Sequence, residues 1–373
     1  MAKLAIKGGK TLRTKPFPSW PPYDKAEEEG LLKVLHSQNW GGYPSPNVTI
    51  DRFAKAFAKA HDAKYGVACA NGSITLELAL RVAGIKAGDE VIVPCYTWIA
   101  TAGAPVNVNA VPVFVDVNPD DYTIDCDQVE AAITDKTRAV ICVHLGSSAS
   151  DIDRLKAICD KHKLILIEDC AHCHGGKWNG KGLGSHGHFG SFSFQSSKLM
   201  TAGEGGLVTT NDKLYEELLQ SYVNCGRKQP GYDSFKGEVY SSNFRMTEFQ
   251  AAVLLAQLAK LPALTKKREA NVDYFLANLD AIPGLSALKR DTRLTTAHHY
   301  QTIIKYDPKG FKGLHRDRFL EALACEGVMA DGDFYEPIQE RPIFRPSLAQ
   351  FPLLKKRYPK GIDASVANTP VAR

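Results

Sequence analysis

Apolar residues recur along this chain with two periods, and the segments that carry them alternate. Continuous apolar runs of strand length read at Tyr65–Ala70, Glu90–Val93, Val113–Val115, Ala139–His144 and Leu164–Ile167. Two further runs follow at Gly190–Phe194 and Leu207–Thr210. Between them the spacing changes to that of helices. After Asn71-Gly72-Ser73, apolar residues fall at Leu76, Ala79, Leu80 and Ala83, which is i, i+3, i+4, i+7. From Asp151 to His162, Ile152, Leu155 and Ile158 share one side. Strands without a polar face, alternating with helices, predict an α/β fold with a mostly parallel sheet covered on both faces.

The second half reads differently. Thr247-Glu248 opens a long helix predicted to run to about Leu261, with Pro262 as its end or a hinge. Strands are expected at Tyr300–Tyr306 and Gly327–Ala330, separated by a helix near Arg316–Glu326. This suggests three parts: an arm over 1–20, a large domain over 21–262, and a smaller α+β domain over 263–373. The chain stops at Arg373 without a closing helix, so the small domain is expected to be truncated.

Composition narrows the class. At 373 residues, 44% hydrophobic and 23% charged, the chain is an ordinary soluble globular one. Its net charge of +5 is spread out, with no basic block, which argues against nucleic acid. No stretch has the length of a membrane span, and no apolar core follows the amino-terminal lysines. Nine scattered cysteines in a chain of this size read as free thiols in a reducing cytoplasm.

The chemistry centres on Lys198. It ends the run Gly190-Ser191-Phe192-Ser193-Phe194-Gln195-Ser196-Ser197-Lys198, and Thr201-Ala202-Gly203-Glu204-Gly205-Gly206 follows. Upstream, a buried-strand pattern delivers Glu168-Asp169. A lysine at a glycine-rich strand-to-loop junction, with an aspartate at the end of a neighbouring strand, suits pyridoxal 5'-phosphate. The lysine would hold the aldehyde and the aspartate the pyridine nitrogen. Asn71-Gly72-Ser73-Ile74-Thr75, between strand and helix, forms either an anion cradle or a plain helix cap. Ser193 could add a hydroxyl to the same phosphate. Trp98 follows a strand end, where it would either stack on a cofactor ring or pack in the core. Cys170-Ala171-His172-Cys173-His174 matches a haem-attachment, redox or half-zinc pattern. Without an export signal or a second Cys-x-x-Cys these readings are set aside, no metal is expected, and His172 reads as a neighbour of the cofactor ring.

Together these segments resemble the DegT/DnrJ/EryC1/StrS family of pyridoxal phosphate aminotransferases. Glu168-Asp169-Cys170-Ala171-His172, Ser191 through Lys198, Gly203-Glu204-Gly205-Gly206 and Asn243-Phe244-Arg245-Met246 carry the resemblance. Phe17 through Asp24, Asn39-Trp40-Gly41-Gly42 and Asn224-Cys225-Gly226-Arg227 look most like two neighbouring branches, the glutamine-dependent scyllo-inosose and 2-deoxy-scyllo-inosose aminotransferases and 3-amino-5-hydroxybenzoate synthase, and Trp98 and Gln195-Ser196-Ser197-Lys198 lean toward the first. The resemblance implies fold type I, with Lys198 as Schiff-base residue and Asp169 on the pyridine nitrogen. Trp98 would stack on the ring, and Gly72, Ser73, Ile74 and Ser193 would hold the phosphate. Asn243 would reach the phosphate of a neighbouring subunit, making the active site a property of a homodimer. It further implies ping-pong transfer of an amino group from L-glutamine or L-glutamate to a keto-cyclitol or keto-sugar, through pyridoxamine 5'-phosphate. The alternatives are a synthase-like dehydratase and aromatase, or a non-catalytic cofactor-binding sensor or scaffold. A lysine rather than histidine at 198 argues against 3-dehydration. Loops near Trp40, Gly146–Ser150 and Tyr335 are expected to shape the acceptor pocket.

Overall fold

The structure is a computed structural model that describes residues 3–279, 281–332, 334–344, 355, 358 and 369–372. Helices α1 (Lys25–Ser37) and α2 (Val48–Ala60) precede the first strand. Neither stood out as an apolar run, yet Asp24 and Glu27 close a capping box at the start of α1. The chain then alternates strand and helix: β1 (Tyr65–Cys69), α3 (Gly72–Val82), β2 (Glu90–Pro94), α4 (Ala100–Asn107), β3 (Val111–Val115), α5 (Cys126–Ala131), β4 (Thr137–Val143), α6 (Ile152–His162) and β5 (Ile165–Asp169). A short ribbon of β6 (Lys177–Trp178) and β7 (Lys181–Gly182) leads to β8 (Phe189–Ser193), β9 (Gly206–Thr210) and α7 (Lys213–Val223).

Seven strands form one sheet in the order β1-β9-β8-β5-β4-β2-β3. Strand β9 pairs antiparallel with both β1 and β8, and the remaining pairs are parallel, so six strands point one way. The expected mostly parallel sheet is therefore present. Its two faces follow the two-residue period of a strand: Val91 and Val93 join a core with α3, α4 and α7, while Ile92 joins another with α5 and α6. A third cluster covers the β1–β9–β8 half of that second face. There Phe53 and Phe57 of α2 meet Phe192 and Phe194, with ring centroids 4.8–5.4 Å apart.

Helix α8 (Glu248–Leu279) corrects the expected stop at Pro262. Leu254, Gln257, Leu261 and Thr265 form one buried stripe that crosses the proline, whose own ring faces solvent. Packing of that stripe outweighs the loss of one helical hydrogen bond. After it come β10 (Leu285–Ala287), β11 (Leu294–Thr296), β12 (Ile304–Tyr306) and α9 (Arg316–Cys325). The strand expected at Tyr300–Tyr306 covers only its last three residues. Gly327–Ala330 forms no strand: Gly327, at φ 84, and Val328 donate to Ala324 and Leu323 and close α9 as a C-cap. Most of the final segment, where truncation was expected, lies outside the described residues. No described helix is long and apolar enough to cross a membrane.

One charge fixes the central strand ends. Glu168 is fully buried, and its carboxylate accepts from the backbone N–H groups of Gly184 (2.8 Å), His186 (2.8 Å) and Gly187 (2.7 Å) and from His144 Nε2 (3.2 Å). Burial alone would raise its pKa, but these donors hold it down to about 2, against an ordinary 4.5. The unfolded chain therefore takes up this proton first. The stabilisation is complete above pH 4.5 and is lost as pH falls toward 2. Denaturant unfolding across this range should show a loss on the order of 2–3 kcal/mol that Glu168→Gln lacks.

Candidate active site

The parallel strands deliver their carboxyl ends to one edge of the sheet, the usual place for a ligand in open α/β folds. A cleft of about 750 Å³ opens there, lined by Gly72, Ser73, Ile74, Trp98, Asp169, His172, Ser193 and Lys198, among others. Eight of the nine residues singled out in the sequence thus come together in one chain. Asn243 does not. It is exposed outside this cleft, bridged to Asn224, and its side chain accepts from the Arg245 amide.

Asp169 is the last residue of β5 and is 6% exposed. One carboxylate oxygen accepts from Thr101 Oγ1 at 2.9 Å, the other from the Ala171 amide at 3.2 Å. Burial pushes its pKa up, and no ion pair with it occurs among the described residues. Thr101, from α4 and itself bonded to Thr97, was not foreseen. Nothing local marks which hydroxyl of that helix meets β5.

Lys198 follows the turn after β8. Burial pushes its amine down to about 8, partly countered by the negative charge of Asp169. Its Nζ lies 4.7 Å from the centre of the Tyr300 ring.

The helix α3 terminus presents its cradle at the same edge. Asn71 caps it, its side chain accepting from the Ile74 amide at 3.0 Å. The cap reading is thus correct for Ile74, whose amide is committed. The amides of Gly72 and Ser73 have no acceptor among the described residues and point their partial positive charge outward. Glycine at 72 is a steric necessity, because an added Cβ would stand 2.4 Å from Ser193 Cβ. That close approach brings the Ser193 hydroxyl to the helix terminus.

Trp98 is 58% exposed, so the core-packing alternative is excluded and its indole walls the cleft beside Tyr335. His172 stacks on Tyr300 with centroids 4.0 Å apart. Its Nδ1 accepts from the Gly146 amide at 3.3 Å, which leaves the ring proton on Nε2, 3.3 Å from the Tyr335 hydroxyl. Gly146 makes this turn at φ 62. Of the loops expected to shape the pocket, that of Tyr335 lines it, while Gly146 lies behind the lining and bonds His172 and Tyr300. Trp40 packs on Phe249 and does not line this cleft.

The two cysteines of the motif lie outside the lining of this cleft. Cys170 and Cys173 are fully buried, and their sulfurs lie with a His144 nitrogen within 4.8 Å of one another. Both His144 nitrogens are engaged, by the Ser150 amide and by Glu168. Burial pushes both thiols up. Both sulfurs belong to the apolar core that holds Phe53, Phe57 and Phe192.

A helix terminus with free amides, an exposed indole, a buried carboxylate and an amine of lowered pKa thus meet in one cleft. Residues 22–361 match the DegT/DnrJ/EryC1/StrS aminotransferase family, and the chain belongs to it. A putative L-glutamine:3-amino-2,3-dideoxy-scyllo-inosose aminotransferase of Micromonospora echinospora is 44% identical over 99% of this chain and 89% of the relative. An L-glutamine:2-deoxy-scyllo-inosose aminotransferase of Streptomyces kanamyceticus is 37% identical over 100% of this chain and 89% of its own. Among solved structures, 3-amino-5-hydroxybenzoic acid synthase superposes with a TM-score of 0.81 at 33% identity, covering 92% of this chain and 89% of that one. The fold is type I of the pyridoxal-phosphate-dependent transferases.

The buried amine carries a stability cost that can be measured. Its folded pKa, about 8, lies below the ordinary 10.5, so the unfolded chain binds the proton more tightly between those values. Stability therefore rises with pH through this window, and the penalty is full below pH 8. Lys198→Met should stabilise the cofactor-free chain by about 1–3 kcal/mol in urea at pH 7, with the gain shrinking toward pH 10.

Proposed function

We propose that this chain is a pyridoxal phosphate-dependent aminotransferase that moves the amino group of L-glutamine to a keto-cyclitol. The observation that carries the reading is the pairing, in one cleft, of the low-pKa amine of Lys198 with the buried carboxylate of Asp169. Pyridoxal phosphate supplies an aldehyde carbon that takes up and passes on an amino group, and a ring that accepts electrons. The chain's own residues fit it. The free amides of Gly72 and Ser73 and the Ser193 hydroxyl suit its phosphate, with Ile74 as neighbouring wall. Trp98 offers a face for its ring, with His172 beside it. Asp169 has a raised pKa and no cation of its own, so a protonated ring nitrogen would satisfy it. Thr101 and the Ala171 amide hold that carboxylate in one orientation.

Lys198 is the acid and base of the proposal. At a pKa of about 8 a usable fraction is neutral near pH 7, so Nζ can take a proton from the amino donor and return it to the acceptor.

The acceptor class rests on charge. Lys198 is the single cation among the described lining residues, against the carboxylates of Asp169, Glu204 and Asp331. Beyond Lys198, the described lining of one chain offers no basic group to receive a nucleotide diphosphate. Its carboxylates, amides and hydroxyls, Gln195, Gln301, Ser197 and Tyr335 among them, suit a free polyhydroxylated ring, and would favour one bearing an amine. The relatives named for scyllo-inosose derivatives, aminated and not, point the same way. Asn243, outside its own cleft, suits a role in the cleft of a second copy, which makes a homodimer the working unit. Nine free thiols support a cytoplasmic setting.

Lys198→Ala and Asp169→Asn should each lower turnover by at least about 10³-fold with glutamine and scyllo-inosose-type ketones, read by mass spectrometry of the aminated product. Undiminished turnover by Lys198→Ala would end the assignment. Product only from a nucleotide-linked keto-sugar would overturn the acceptor class, and aromatisation of aminodehydroshikimate without amino transfer would point to the synthase chemistry.

A further inference from the structure

Tyr300 belongs to no strand, yet four contacts fix it. Its amide donates to the Gly146 carbonyl at 3.0 Å, and the Gly146 amide in turn donates to His172. Its hydroxyl meets Ser197 Oγ at 2.9 Å, and Ser197 is held by Gln195 Oε1 at 2.7 Å. Its ring stacks on His172 at 4.0 Å and 18°. The fourth contact is with the amine itself: Lys198 Nζ stands over the ring, 4.7 Å from its centre. A cation over an aromatic face is attracted by the ring quadrupole, more strongly when water is kept away.

An amine that serves as acid and base must leave and return in every cycle. A lysine stem has four rotatable bonds, so a free Nζ has many places to go unless something holds it. Ser197 and Lys198 are neighbours in sequence, so anchoring Tyr300 to Ser197 sets the ring in fixed relation to the lysine backbone. We propose that Tyr300 is a positioning residue: its ring face holds the Lys198 amine beside Asp169 and the α3 terminus whenever that nitrogen is not covalently engaged. This rests on the role of Lys198 proposed above.

The groups that bear on this amine's charge are Asp169 at the end of β5, His172 and His174 in the turn after it, and Tyr300. Asp169 favours the ammonium by its charge, and both imidazoles are kept neutral by burial. The ring's contribution can therefore be isolated by changing its electrons without its shape.

The test is competitive acetylation of the full-length, cofactor-free chain with acetic anhydride across pH 6 to 11, with peptide mass spectrometry reading the midpoint at Lys198. Position 300 carries in turn tyrosine, phenylalanine, and phenylalanine bearing two or three ring fluorines. Draining the ring face weakens its hold on the ammonium, so the midpoint should fall stepwise with fluorine number, by about 0.3–0.7 pH units in all. Tyr300→Phe alone should leave it within about 0.2 units, because the face is retained. A fluorinated series that superimposes on phenylalanine overturns the proposal. So does a full shift on Tyr300→Phe, which would assign the effect to the hydroxyl and Ser197. The readout needs no turnover: an active Lys198→Ala protein would defeat the functional reading and leave this titration standing.

Discussion

Two adjacent carboxylates buried at the end of the central strand β5 are the constraint from which the rest of the site follows. Neighbouring residues on a strand face opposite sides, so Glu168 and Asp169 enter different environments. Glu168 turns into the protein, where three backbone amides and His144 donate to its carboxylate. Leaving a charge there unpaired would cost several kcal/mol, so the 184–187 loop has little freedom to be elsewhere. Asp169 turns to the cleft with two donors and no ion pair among the described residues. The first carboxylate stabilises the frame; the second is left for chemistry. The same opposition separates the His144–Cys170–Cys173 packing from the His172–Tyr300 wall.

Around β5 the sheet supplies the remaining groups in fixed register. Asp169 lies across from Ser191, so Ser193 and the turn to Lys198 follow on the next strand. Strand β1 runs in the same direction, separated by the antiparallel β9, and brings the α3 terminus to the same edge. A missing Cβ at Gly72 lets helix and strand meet there. The carboxylate and Ser193 are thus positioned by backbone pairing, the amine by the short turn that leaves β8, and the amides of Gly72 and Ser73 by the start of α3.

Much of this was legible along the chain. The seven main-sheet strands and α3 and α6 follow from continuous apolar runs and 3.6-residue spacing, and most of the site residues lie just after those strands. Legibility failed where a local signal had two meanings. Pro262 reads as a break, but the buried stripe from Leu254 to Thr265 carries α8 through it. Gly327 reads as the start of a strand, but it caps α9. Asn71 reads as a cap or a cradle: the cap is present on the Ile74 amide, and the amides of Gly72 and Ser73 are left without an acceptor among the described residues.

The sequence by itself determined the fold class and the residue types of the chemistry, because strand burial, helix capping and the Lys198 and Asp169 motifs are written in neighbouring residues. Only the tertiary structure decided which side chains meet. Thr101 reaches Asp169 from 68 residues away, and Tyr300 reaches Ser197 from 103. Contacts between such distant segments depend on how sheet, helix and loop pack together. No pattern in the intervening chain records them.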